Sequence, residues 1–140
     1  MLRGEFESAG ESSPEALRSE YGRVLQETIE PLGVESVAER AGLATDVVES
    51  VAAGEQPELT LEAAAAILAT DDERPDGETI KMEALDILLM GMTTAVVDVD
   101  AVAAGLNGEM EPKEIQQKVE GRYPITLEEY AAIHHFLEAR

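Results

Sequence analysis

Ten basic residues stand among thirty acidic ones in this 140-residue chain, and three of the ten fall in one short stretch. There Lys113, Lys118 and Arg122 oppose Glu114 and Glu120, a local net of +1 in a chain whose formal net charge is −20. Gln116 and Gln117 add amide groups that can read base edges, and Tyr123 adds a ring beside Arg122. Cations that neutralise phosphate, interleaved with amides that discriminate bases, are the side-chain chemistry of nucleic-acid recognition. Lys113, Gln116, Gln117, Lys118, Arg122 and Tyr123 are therefore the candidate DNA-contacting residues. The competing reading of the same stretch is a mixed-charge helix face that only keeps the protein in solution.

Other constellations point to ordinary structural roles. Asp72, Asp76, Gly77 and Glu83 fall on the first, fifth, sixth and twelfth positions of a calcium-binding loop, but Arg74 takes the third, where a ligand oxygen is needed. Asp98 and Asp100 have the spacing of a two-carboxylate metal motif, yet both lie where a helix needs a cap. His134 and His135 are adjacent on a helix and point about 100 degrees apart, so one is expected to pack and the other to face solvent. There is no cysteine, which removes thiolate zinc sites and thiol chemistry. With no glycine-rich phosphate loop and no histidine paired to a recognisable nucleophile, we expect neither an enzyme nor a bound cofactor or metal.

The elements that must position these residues are helices. Apolar residues make up 44 % of the chain and aromatics only 4 %, so small aliphatic side chains do the packing, and no run alternates with the period of a strand. The fold class expected is all-α. Residues 1–11 read as a disordered N-terminus, after which Ser12 or Ser13 can cap a helix with Pro14 in its first turn and Glu15 placed for a capping box. Leu17, Tyr21, Val24, Leu25 and Thr28 then share one face. Short helices are expected over 34–41, from a Thr45 cap to Ala53, and over 60–69. An acidic linker, 71–78, precedes the most apolar helix, from Thr79 to about Val97, which reads as a central strut. Within it Met90 to Thr94 are expected in the core, with a dimer seam as the alternative. Asp98 or Asp100 caps a helix over 101–104, Pro112 opens one ending at Gly121, and Thr126 caps the last.

Two stretches nearly repeat each other. Gly54, Pro57, Thr60, Leu61 and Ile67 recur as Gly121, Pro124, Thr126, Leu127 and Ile133, a helix stop, a stiffened loop and a new cap in each copy. The segments before each glycine resemble helix-turn-helix motifs. Val37, Ala38, Gly42, Leu43, Val48 and Val51 match its packing positions in order, and from Leu17 to Ala69 the chain resembles a lambda-repressor-like (Xre-type) domain. The second copy is looser, with Val102, Ala103 and Ile115 in the corresponding places and two extra residues in the turn. The expected organisation is thus tandem helix-turn-helix-like units, 12–70 and 79–140, joined through the central apolar helix and able to share one core.

In that family the outward positions of the second helix enter the major groove. In the first copy, Val34 to Gly54 holds Glu35, Glu39, Asp46 and Glu49 against Arg40, four acids to one base and a net of −3, which repels the DNA backbone. Only the second copy offers a surface tolerable to a polyanion. The whole chain also resembles a family of small acidic proteins of halophilic archaea, which implies a soluble cytoplasmic protein and no particular activity. Its dispersed carboxylates suit concentrated salt, where a Debye length of roughly 3 Å screens their repulsion. The longest apolar stretch, Ala84 to Val97, contains Asp86 and is too short to cross a bilayer. The function expected is a non-enzymatic regulator of helix-turn-helix type binding DNA through the second unit. The alternative is a protein-interaction adaptor that has lost DNA readout. The partners these readings admit are DNA, another protein or a second copy, without a membrane.

Overall fold

Ser13 caps the first helix, α1 (Pro14–Leu32), its hydroxyl accepting from the Ala16 N–H at 3.0 Å. The computed structural model describes residues 13–140, so the expected disorder of 1–11 and the Ser12 cap lie outside the described residues. With Ser13 as the cap, the position that completes a capping box is Ala16 and not Glu15, so that box does not form. The fold is all-α. After α1 come α2 (Val34–Ala41), α3 (Thr45–Ala52), α4 (Leu61–Leu68), α5 (Gly77–Ala95), α6 (Val99–Gly105), α7 (Pro112–Val119) and α8 (Leu127–Glu138).

Several boundaries differ from the sequence expectation for local reasons. Thr45 is the first residue of α3 and not its cap; Ala44 precedes it in an extended conformation with no side chain able to accept. Helix α5 starts earlier than expected because the Asp76 carboxylate accepts from the Thr79 N–H at 2.8 Å, drawing Gly77 and Glu78 out of the linker and into the helix. Between α2 and α3, Gly42 turns the chain at φ +69°, a left-handed conformation that costs an L side chain about 1 kcal/mol. The looser second turn uses Asn107 at +59° and Gly108 at +75°.

The two halves repeat the same order of helices and embrace each other. Helix α1 packs on α8 as α5 packs on α4, so the first helix of each half lies on the last helix of the other. Where the chain enters α4 and α8, the Leu61 N–H donates to the Ile125 carbonyl at 2.7 Å and the Leu127 N–H donates to the Leu59 carbonyl at 2.9 Å. Thr60 and Thr126, side by side in this antiparallel bridge, each cap their own helix through the side-chain oxygen. Arg18, fifth residue of α1, pairs with Glu128, second residue of α8, at 3.0 Å; Lys81, fifth of α5, approaches Glu62, second of α4, at 3.9 Å. These paired relations describe an approximate two-fold axis through the bridge. One continuous core results, drawing Leu17, Leu25, Val37, Val48 and Ile67 from the first half and Ile80, Leu88, Ile115, Leu127 and Ile133 from the second.

Candidate interaction surfaces

Helix α7 anchors itself through Ile115 and Val119, which are buried, and so turns Lys113 and Gln116 outward. Gln117 is half-buried, while Arg122 and Tyr123 in the following loop are exposed. The face is therefore not covered by the other described residues. Lys118 behaves differently. Its ammonium is almost enclosed, with 13 % of the side chain exposed, and it donates to both Glu114, at 2.9 Å, and Glu129 of α8. Burial works to lower its pKa, but the hydrogen bonds to Glu129 and Glu114 outweigh that and hold it above its ordinary value, and Glu114 is held below its own by the same bond.

This changes the charge of the face. Arg122 lies 3.4 Å from Glu120, and Gln116 donates to Glu120 at 3.4 Å. Lys113, Lys118 and Arg122 stand among Glu111, Glu114, Glu120 and Glu129, four acids to three bases. Glu111, beside the stretch, already cancels its excess of positive charge, and α8 tips the face acidic by bringing in Glu129, whose own main role is the capping box with Thr126.

Two carboxylates of the remaining sequence constellations serve as helix caps. Asp76 caps α5, Asp98 caps α6 through the Ala101 N–H at 2.9 Å, and Asp71 receives the Glu73 N–H at 3.0 Å. Among the described residues no three histidines, aspartates or glutamates gather around a common point as a metal would require. His134 is buried, with Nδ1 2.9 Å from the Tyr21 hydroxyl, whereas His135 is half-exposed. Burial is the main cause that pushes the His134 pKa down to about 3 and the Tyr21 pKa far up. The Tyr21 and Tyr130 rings meet edge to face at 5.9 Å, and the Tyr130 hydroxyl donates to the Ala84 carbonyl of α5 at 2.7 Å. Beside this cluster, Arg18, Gln56, Glu128, His135 and Phe136 line an open cleft of about 700 Å³. Its two-fold counterpart, lined by Glu62, Lys81, Lys118 and Tyr123, is a pocket of about 190 Å³.

A feature the residue types alone do not locate is on α5. Ile80, Ala84 and Leu88 face the core, and Gly91 lets Leu137 approach so closely that a Cβ there would stand 3.1 Å from it. Among the described residues the opposite side is left uncovered: Met82 is 64 % exposed, Leu89 41 %, Met90 54 % and Val96, just beyond the helix, 88 %. The central strut is thus only half embedded, and Met90 lies outside the core. Among the described residues, no single helix is long and apolar enough to cross a membrane.

No curated protein and no solved structure matches the chain. Residues 17–140 match a family of unknown function, DUF5791, and the chain belongs to that family.

Proposed function

We propose that this protein is a non-enzymatic interaction module, built from two helix-turn-helix-like units that no longer read DNA. The observation that carries the reading is the uncovered apolar side of α5 in a chain of net charge −20. Large exposed apolar groups gathered on one element mark a surface that meets a partner. The helix-turn-helix kinship rests on the pairs α2–α3 and α6–α7, the left-handed Gly42 turn and the buried anchors Val37, Ala38, Val48 and Val51. Against DNA readout stand the acidic outward positions of α3, Asp46 and Glu49, and the enclosure of Lys118 by two carboxylates. Wide dispersal of carboxylates and only three lysines further support a protein of a salt-rich cytoplasm.

The DNA reading keeps one specific support, the exposure of Lys113, Gln116, Arg122 and Tyr123 together. Mobility-shift assays on genomic fragments in molar potassium chloride separate the two. The native chain is expected to leave every fragment unretarded. Retention that disappears in Lys113→Glu and Arg122→Glu would reverse the assignment in favour of DNA. Those two positions are exposed, so the substitutions spare the fold, which Lys118→Glu would not.

A further inference from the structure

We propose that the outward side of α5 is the contact between two copies of this chain, laid antiparallel. The inference rests on the reading of that side as an interaction surface and names its occupant. Met82, Asp86, Leu89 and Thr93 follow one another along α5 at spacings of four, three and four, the spacing that keeps side chains along one seam of a paired helix, and Val96 caps the helix end three residues on. Four of the five are exposed and Asp86 is half-buried.

The molecule contains its own control. Helix α1 has the same 19-residue length as α5 and the corresponding place in its half, with buried Leu17, Tyr21 and Leu25 matching Ile80, Ala84 and Leu88. Where α5 carries Met82, Asp86, Leu89, Met90 and Thr93, α1 carries Ser19, Arg23, Gln26, Glu27 and Glu30. The outward side is thus polar and charged in one half, where Gln26 donates to the Ala52 carbonyl and Gln56 to the Ser19 hydroxyl, and apolar in the other. The difference belongs to the second half's own surface and not to the architecture the halves share.

Charge selects the occupant and its direction. Two copies of a chain of net charge −20 repel wherever carboxylates face each other, and from Ile87 to Val97 there is no charged residue. Set antiparallel about Leu89, the seam is self-complementary. Met82, seven residues before the centre, meets the other copy's Val96, seven after it; Leu89 meets Leu89; and Asp86 falls beside the hydroxyl of Thr93. A parallel arrangement would press Asp86 against Asp86. At about 1.5 Å per residue the seam from Met82 to Val96 is about 21 Å long, with Ile87, Met90 and Thr94 along its flank.

The absence of cysteine makes the geometry directly testable in the full chain. Sedimentation in molar potassium chloride is expected to give twice the 15.0 kDa of one chain, and Leu89→Asp to give 15.0 kDa with an unchanged circular dichroism spectrum. Under mild oxidation Leu89→Cys should cross-link to itself. Met82→Cys should not, yet should cross-link when mixed with Val96→Cys. A monomeric native chain at every concentration, or self-cross-linking of Met82→Cys in place of the mixed pair, overturns the proposal. A monomer that also leaves DNA unretarded refutes only self-pairing, whereas retention on DNA refutes the interaction reading itself.

Discussion

His134 and Tyr21 show how one residue pair ties folding to proton concentration. The His134 ring holds Nδ1 2.9 Å from the Tyr21 hydroxyl and turns Nε2 toward Glu138 at 4.0 Å. Free in an unfolded chain, the ring takes a proton near 6.5; in the core it resists until about 3. Between those values the unfolded state binds more protons, so this site's contribution weakens as pH falls, by up to about 1.4 kcal/mol per pH unit. The equivalent residue of the first half is Leu68, also buried. Replacing both partners, Tyr21→Phe with His134→Leu, should therefore give a protein that loses less stability than the native chain on acidification below about pH 6.5. Denaturant melts at several pH values measure this, and parallel pH curves would show that the ring does not titrate as its burial demands. Adjacency in sequence told that the two histidines diverge. Which of them enters the core depends on how α8 packs on α1, where Leu17, Tyr21, Leu25, Ile133 and Leu137 are all buried.

At the level of helices, the approximate two-fold axis sets two ion pairs in corresponding places with unequal burial. Arg18 has only 4 % of its side chain exposed, holds Glu128 at 3.0 Å and donates from Nη2 to the Pro57 carbonyl at 3.0 Å; its Nη1 finds no hydrogen-bond partner among the described residues. Lys81 is a quarter exposed, and its partner Glu62 is largely in water. Removing the charge of Glu128 leaves a buried guanidinium uncompensated, while removing that of Glu62 leaves an ammonium that water can reach. Glu128→Gln is expected to cost about 2 kcal/mol and Glu62→Gln less than about 0.5 kcal/mol, read from urea or guanidinium melts. Equal losses would mean that α1–α8 and α4–α5 are held by their apolar contacts alone. The caps and most helix starts were legible because a threonine or aspartate before an apolar run carries its own reason. The pairing of Thr60 with Thr126 was not, since two similar loops in a sequence say nothing about whether they touch.

Taken as a whole, the molecule carries its carboxylates over nearly all of its surface, and its core is built almost without large aromatics. Self-repulsion opposes the folded state in dilute buffer and fades when the Debye length shrinks to roughly 3 Å at 1 M salt. Helical circular dichroism followed across a potassium chloride series should rise toward molar salt. Undiminished stability without salt would show that the dispersed acids do not strain the fold. The same global charge explains why the α7 stretch, locally basic along the chain, ceases to be so: in a protein with thirty acids, packing any two helices together tends to bring a carboxylate to each cation.

Composition and periodicity by themselves determined that the chain is all-α, that its helices start at Pro14, Thr126 and Pro112 or near them, and that Val37, Val48 and Ile115 are anchors, because those properties depend on neighbours within a turn or two. Only the tertiary structure decided which surfaces remain. It enclosed Lys118 with Glu129, eleven residues away and on another helix, and it left one side of α5 without a neighbour among the described residues. Both outcomes depend on how the two halves clasp, a matter of long-range apolar packing that no short stretch of sequence contains.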